Sequence, residues 1–250
     1  MKTFNSNGVE IAYAVEGTGD PILLIHGFAS NAAVNWESTR WIQFLTDNGF
    51  QTIAFDNRGH GHSAKLYDPE DYTGPVMAED AFRLIEHLGL SKADVMGYSM
   101  GARLAAFLSL AHPERIRSAI FAGLGANMIQ GVGAPEPIAQ ALLTDEPASI
   151  TDENARAFRI FADQTKGDRR ALAACIMASR DRIPGSDLAQ LKAPVLVAVG
   201  TEDRIAGPAG PLAAVIPGAK TLDIQGRDHM KAVGDRAYKD GVLEFLRQRP

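Results

Sequence analysis

Gly97-Tyr98-Ser99-Met100-Gly101 lies between an apolar run of strand length, Ala93 to Met96, and a helix-like run that begins at Ala102. Glycines two positions on either side of a serine permit a sharp, crowded turn that lifts the hydroxyl clear of the backbone. The serine then lies at a helix N-terminus, where the next N–H is free to donate to an oxyanion and the helix dipole favours negative charge. The stretch predicts a nucleophilic serine at a strand-to-helix turn; the alternative is a plain turn with a capping serine.

The flanking sequence alternates short apolar runs with longer helix-like segments. Runs such as Ile22 to Ile25 and Val195 to Val199 are continuously apolar, as parallel strands covered on both faces require. Strands are predicted at Val9–Val15, Pro21–Ile25, Gln51–Phe55, Ala93–Met96, Ser118–Ala122, Pro194–Val199 and Lys220–Ile224. Helices are predicted at Asn35–Asn48, Val76–Leu88, Ala102–Ala111, Pro208–Ile216 and Val233–Arg247. This alternation predicts an α/β fold with a mostly parallel, doubly wound sheet.

One interval, Asn127 to Gln190, contains Ala-rich helical stretches separated by Gly and Pro turns and no convincing strand. Ligands of open α/β sheets bind at the carboxyl ends of the strands, so an insertion that leaves a strand there would cover the site. We therefore expect a core domain of residues 1–126 and 191–250, with a helical lid, residues 127–190, inserted before the last two strands. An ordinary helical layer without a gating role is the alternative.

Bulk properties exclude several classes of protein. The 250 residues carry a net charge of -5 and no dense Lys/Arg cluster, which argues against nucleic-acid or membrane-surface partners. The single cysteine, Cys175, excludes an intramolecular disulfide and a multi-cysteine metal site. The N-terminus lacks the apolar run of a signal peptide, and no window approaches the length of a membrane span. A soluble, cytoplasmic protein is expected.

A serine nucleophile needs a base of near-neutral pKa and an acid that orients it. His229 is the strongest base candidate because its loop follows the last predicted strand, at the sheet edge where Ser99 lies. Asp203 follows the preceding strand directly and is the favoured acid. Glu202 would replace it after a one-residue error in register, while Asp228 is next to His229 in sequence and cannot easily reach the ring.

The chain order Ser99, Asp203, His229 is that of the α/β-hydrolase arrangement. His26-Gly27-Phe28 resembles the oxyanion loop of that superfamily, and Asp56 to Ser63 resembles its Asp-x-Arg-Gly-His-Gly-x-Ser turn. The motifs are most similar to the esterase, lactonase, non-haem haloperoxidase-like and carbon-carbon hydrolase branches. The resemblance implies that Phe28 and Met100 donate their backbone N–H groups to the oxyanion. His26 is expected to hold the loop, and the alternative is a second base.

Cofactor motifs are weak. Asp56, His60 and His62 are residue types that bind metals, yet they lie in a glycine-flanked turn that the resemblance already explains. Gly123-Leu124-Gly125 is followed by Met128 where a dinucleotide fingerprint requires Gly or Ala. We expect no metal and no organic cofactor.

The expected activity is hydrolysis of small-molecule carboxylic esters of small to medium acyl chain by a serine hydrolase, through an acyl-enzyme. Carbon-carbon bond hydrolysis, lactonase and perhydrolase or haloperoxidase-like activity are alternatives on the same fold, and a non-catalytic small-molecule binding protein is an alternative of another class. A carboxylate-bearing substrate would need a cation in the pocket, for which the candidates are Arg103, Arg159, Arg180 and Arg182. Apolar side chains available for the pocket are Met128, Ile129, Ile138, Leu142, Leu143, Phe158, Phe161 and Met177, although helical spacing favours packing within the lid for most of them.

Overall fold

The computed structural model describes residues 1–249, which contain an eight-stranded sheet. The strands are β1 (Lys2–Ser6), β2 (Val9–Glu16), β3 (Asp20–Ile25), β4 (Phe50–Phe55), β5 (Ala93–Tyr98), β6 (Ile116–Ala122), β7 (Val195–Gly200) and β8 (Lys220–Ile224). Their order across the sheet is β1-β2-β4-β3-β5-β6-β7-β8. β2 pairs antiparallel with both β1 and β4, and β3 to β8 run parallel to one another. The predicted doubly wound, mostly parallel sheet is confirmed.

Helices cover both faces of the sheet. They are α1 (Trp41–Asp47), α2 (Gly74–His87), α3 (Met100–Ala111), α4 (Asn127–Gln130), α5 (Glu136–Leu143), α6 (Glu153–Gln164), α7 (Arg169–Ala178), α8 (Gly185–Leu188), α9 (Ala209–Ala213), α10 (His229–Ala232) and α11 (Arg236–Gln248). Side chains of α2, α3 and α9 join one buried cluster with Val195, Val197 and Val199. Side chains of α1 and α11 join the other with Leu196 and Ala198. Because β7 is covered on both sides, its sequence is apolar at every position. None of the helices within residues 1–249 is both long and apolar enough to cross a membrane.

Two local features differ from the sequence analysis, a strand that it did not predict and a helix that it predicted wrongly. Strand β1 was not predicted, because this edge strand places only Phe4 and Ser6 in the interior and leaves its other side chains exposed. The helix predicted over Asn35–Asn48 is two elements, a π-helical turn at Ala33–Glu37 and α1. Arg40 adopts a left-handed backbone with φ 61° between them. The break allows both Trp36 and Trp41 to be fully buried, with their rings edge to face at 6.4 Å.

Helices α4 to α8 lie between β6 and β7, and this segment contains no strand. This insertion contacts the loop after β3, since the ring of Phe158 packs edge to face on Phe28 at 5.7 Å. The hydroxyl of Thr165 also donates to the carbonyl oxygen of Ala29 at 2.8 Å. The insertion therefore lies over the carboxyl end of β3, and its role as a lid stays a prediction.

Candidate active site

Ser99 occupies a strained turn between β5 and α3. Its φ is 56° and its ψ is -114°, a conformation that ordinary side chains rarely adopt. Close backbone approach explains the glycines on either side. A Cβ at Gly97 would lie 2.0 Å from the carbonyl oxygen of Gly101, and one at Gly101 would lie 2.0 Å from that of Ile25. The strand, turn and helix thus pack too tightly for any larger residue at either position.

Ser99, His229 and Asp203 form a continuous hydrogen-bonded chain. The Oγ of Ser99 is 3.0 Å from Nε2 of His229, and Nδ1 of His229 is 2.7 Å from Oδ2 of Asp203. Because a carboxylate can only accept, Nδ1 carries the proton and Nε2 is free to accept from the serine hydroxyl. The other oxygen of Asp203 accepts the N–H groups of Ile205 and Ala206 at 3.0 and 2.9 Å, which fix the carboxylate. The geometry suits proton transfer from serine to imidazole.

The two rival acids lie elsewhere. Glu202 is exposed, and Asp228 accepts the N–H groups of Met230 and Lys231 as the cap of α10. Tyr98, which sequence reasoning did not single out, donates its hydroxyl to the carbonyl oxygen of His229 at 2.6 Å. This bond ties the strand that carries the serine to the loop that carries the histidine.

Two free backbone donors lie beside Ser99. Within residues 1–249 the N–H groups of Phe28 and Met100 donate to no protein acceptor, and Met100 is the first residue of α3. The neighbouring N–H of Gly27 is occupied by Oδ1 of Asn35 at 3.1 Å, so Asn35 holds this loop. The amide nitrogen of Asn35 is buried without a partner. Sequence reasoning missed Asn35, because no local pattern links it to Gly27.

The turn after β4 is held by hydrogen bonds. Asp56 accepts the N–H groups of Ala32 and His62 at 2.8 and 2.7 Å. His26 accepts the N–H of Asn57 at Nε2, 3.0 Å away, so its Nδ1 must donate to the carbonyl oxygen of Gly27, 2.8 Å away. Burial lowers the pKa of His26, which favours this neutral form. Across residues 1–249 no cluster of three His, Cys, Asp or Glu side chains has the arrangement of a metal site.

A cavity of about 580 Å³ opens onto Ser99 and His229. This volume lies within the range of small-molecule sites. Of the apolar insertion residues named from the sequence, Phe158 and Phe161 line the cavity, together with Ile160 and Ile176. Met128, Ile138 and Leu142 are buried in the core, and Leu143 and Met177 are exposed. Asn154, Gln164 and Ser179 add polar groups to the lining.

The four candidate arginines separate into different environments. Arg103 and Arg180 line the cavity. Arg159 is buried but bonds to Asp163 at 2.9 Å and to carbonyl oxygens of the insertion. Arg182 is exposed outside the cavity. The structure thus places two of the four candidate arginines in the lining of the cavity that contains Ser99.

The topology and the elbow define an α/β hydrolase. A family model described as alpha/beta hydrolase fold matches residues 20–174, and the chain belongs to this family. A non-heme chloroperoxidase of Kitasatospora aureofaciens is 28% identical, covering 96% of this chain and 97% of its own length. A 3-oxoadipate enol-lactonase of Acinetobacter baylyi is 27% identical, covering 81% of this chain and 79% of its own.

Solved structures agree with this assignment. A hydrolase from Pseudomonas aeruginosa superposes with a TM-score of 0.81 at 25% identity, covering 98% of this chain and 97% of that one. A bromoperoxidase from Bacillus anthracis also gives a TM-score of 0.81, at 24% identity and 99% coverage of both chains. The latter similarity bears on the fold alone.

Proposed function

We propose that this α/β hydrolase is a serine hydrolase that cleaves carboxylic esters of small to medium acyl chain. The observation that carries the proposal is the unbroken chain of hydrogen bonds from Asp203 through His229 to Ser99, beside two free backbone N–H groups. A nucleophile, a base, an orienting acid and oxyanion donors are the parts that acyl transfer requires.

In the proposed cycle, Oγ of Ser99 attacks the ester carbonyl as its proton passes to Nε2 of His229. The N–H groups of Phe28 and Met100 donate to the oxyanion, and each such donor contributes about 3 kcal/mol to transition-state stability. His229 then gives the proton to the departing alcohol. Water, deprotonated by the same histidine, hydrolyses the acyl-enzyme, while Asp203 stabilises the imidazolium.

The proposed domain division is a core of residues 1–126 and 191–250 and a lid of residues 127–190. Side chains from α6 and α7 supply Phe158, Phe161 and Ile176 to the cavity wall. An apolar wall opposite the nucleophile suits an acyl chain, so the insertion selects the substrate in this proposal.

The test is a panel of p-nitrophenyl esters of increasing chain length, run with the native protein and with Ser99→Ala. We expect a maximum of kcat/KM within the short to medium chains. Ser99→Ala should lose at least about 1,000-fold, because a triad acts as a unit. A fluorophosphonate probe should label the native protein and not the variant. Full esterase activity in Ser99→Ala, or absence of labelling, would contradict the proposal and favour a binding protein.

Perhydrolysis is a second candidate, because a relative of nearly full-length similarity is named a non-heme chloroperoxidase. In this reaction hydrogen peroxide replaces water as the attacking group on the acyl-enzyme, which gives a peracid. Peroxide-dependent turnover of a carboxylic acid, lost in Ser99→Ala, would assign it. A lactone included in the ester panel tests the activity that the name of the enol-lactonase indicates for that relative.

A further inference from the structure

The cavity beside Ser99 carries positive charge without a matching acid. Its lining includes Arg103 and Arg180, and none of its lining residues is Asp or Glu. We propose that these two arginines form a subsite for a carboxylate on the substrate, so that the preferred substrates are esters with a free carboxylate a few bonds from the scissile carbonyl. This inference rests on the proposed function and specifies its substrate class.

Arg103 is a buried cation without a carboxylate in ion-pair contact, although the charge of Asp181 acts on it from further away. Its residue is only 2% exposed, and it forms no ion pair within residues 1–249. Its Nη1 donates to the carbonyl oxygens of Asp181 and, at 3.5 Å, Met128. Its Nε and Nη2 have no protein acceptor, and they are not among the fully buried unpaired polar atoms of residues 1–249. Because the residue lines the cavity, these donors are the groups that the proposed carboxylate would engage.

Arg180 reaches the same cavity from the segment after α7. Its Nη1 donates to the carbonyl oxygens of Val132, Gly133 and Ala134 at 3.1, 3.2 and 3.3 Å. Its Nε and Nη2 also have no acceptor in the described chain. Burial lowers the pKa of Arg180. Burial and the charge of Arg180 lower the pKa of Arg103 to about 10, and the charge of Asp181 opposes them only in part. Both groups are therefore cationic at neutral pH, and an anion between them would relieve their repulsion.

Other buried arginines of this chain are paired, which sets Arg103 apart. Arg58 binds Asp80 through two hydrogen bonds of 2.7 and 2.8 Å. Arg159 binds Asp163 at 2.9 Å. Burying an unpaired charge is expensive, and the usual solution is a carboxylate partner. No carboxylate within residues 1–249 forms an ion pair with Arg103, and the residue lines a cavity that a ligand can enter.

The position of Arg103 limits how far from Ser99 the carboxylate would lie. Arg103 follows Ser99 by one helical turn, and its N–H donates to the carbonyl oxygen of Ser99 at 3.3 Å. One turn advances the chain roughly 5 Å along the helix axis. Phe158, Phe161 and Ile176 line the same cavity. The site thus suits a short ligand with a reactive carbonyl at Ser99, an aliphatic middle and a carboxylate end. A guanidinium can bind that carboxylate through two donors.

A purely structural role for Arg103 makes a different prediction. Its bonds to Met128 and Asp181 join α3 to the insertion. If that were its whole function, removal would lower the turnover of charged and neutral esters alike. A subsite instead predicts a selective loss of turnover for the charged ester. The ratio of kcat/KM for the charged ester to that for the neutral ester therefore distinguishes the two roles.

The kinetic experiment compares mono-p-nitrophenyl glutarate, which has a free carboxylate, with its neutral methyl ester. We expect the native protein to favour the charged ester in kcat/KM by roughly 30-fold, as a hydrogen bond to a charged group allows. Arg103→Met should reduce this ratio about tenfold or more, Arg180→Met should reduce it less, and Arg103→Lys should restore part of it. The exposed Arg182→Met is the matched control and should leave the ratio unchanged.

Equal turnover of both esters by the native protein overturns the subsite, and so does an unchanged ratio in Arg103→Met. Thermal unfolding checks that variant, and if it does not fold, an unchanged ratio in Arg180→Met overturns the subsite. If neither ester is cleaved in a Ser99-dependent way, the proposed function fails, and binding still tests the subsite. In calorimetry with Ser99→Ala, monomethyl glutarate should bind at least about tenfold tighter than dimethyl glutarate. Equal binding overturns the proposal.

Discussion

The hydroxyl of Tyr98 donates to the backbone carbonyl oxygen of His229 at 2.6 Å, across 131 positions of sequence. The two rings lie 5.4 Å apart between centroids. Tyr98 ends β5 and immediately precedes the serine, and His229 begins α10. The bond therefore fixes the loop of the proposed base to the strand that carries the proposed nucleophile.

Removing this hydroxyl should loosen the distance between serine and histidine. We expect Tyr98→Phe to lower the free energy of unfolding by about 1 kcal/mol, because the carbonyl oxygen loses its donor. Ester hydrolysis should fall roughly tenfold in kcat with a smaller change in KM, because small displacements within a reacting pair are costly.

Tyr238→Phe is the matched control for that variant. Tyr238 packs in the same layer, 6.5 Å from the ring of Tyr98, but its buried hydroxyl has no partner in the described chain. Deleting it should leave stability unchanged or raise it. Urea unfolding and ester kinetics on both variants check the pair, and equal losses would contradict the assigned role of Tyr98.

The assignment of Asp203 predicts a large effect from a small change. In Asp203→Asn the side-chain amide can donate to Nδ1 of His229, which favours the tautomer that cannot accept from Ser99. We expect kcat to fall by about 10⁴-fold, as for the equivalent change in other triads. Glu202→Gln, at an exposed neighbouring position, should keep nearly native kinetics. A comparable loss in Glu202→Gln would reverse the assignment.

The crowded elbow predicts opposite effects of one substitution at two glycines. A methyl group at Gly101 would meet the carbonyl oxygen of Ile25 at 2.0 Å, whereas one at Gly210, in α9, would meet nothing within 4 Å. Gly101→Ala should destabilise the fold by about 2–3 kcal/mol. Gly210→Ala should stabilise it by about 0.5–1 kcal/mol, because alanine is the better helix former. Thermal and urea unfolding measure both, and a stable Gly101→Ala would contradict the close approach.

The central strands could be predicted because their signal is local. Val195 to Val199 is apolar at every position, since helices cover both faces of β7. Lys2 to Ser6 has no such signal, because this edge strand is half exposed. It is held by backbone hydrogen bonds to β2, which the side-chain pattern does not reveal. The break before Trp41 was hidden for a related reason. It depends on how Trp36 and Trp41, five positions apart, are both buried in the core.

The candidate site likewise contains residues with a local sequence signal and residues whose role depends on distant contacts. Ser99, Asp203 and His229 each follow or precede a recognisable strand, so their common edge could be inferred from topology. The lack of an ion pair at Arg103 could not be inferred, because it depends on which carboxylates the fold brings into contact with the guanidinium. Asn35 and Tyr98 likewise act through backbone groups far away in sequence, at Gly27 and His229.

The burial of His60 predicts that the fold loses stability in acid. It is 1% exposed, and burial, with His26 nearby, lowers its pKa from 6.5 to about 3. The unfolded chain therefore binds a proton below pH 6.5 that the folded chain refuses until about pH 3. The contribution of His60 to the free energy of unfolding is fully present above pH 6.5. It decreases as the pH falls, by on the order of 2 kcal/mol between pH 7 and pH 5.

Urea unfolding at pH 7 and pH 5 measures this loss. His60→Asn keeps a donor for the carbonyl oxygen of Arg58, which Nδ1 of His60 contacts at 2.9 Å, and removes the titration. Its stability should be lower at pH 7, since packing is lost, but should fall less towards pH 5. An unchanged slope in His60→Asn would mean that other groups, such as buried His26, carry the acid sensitivity.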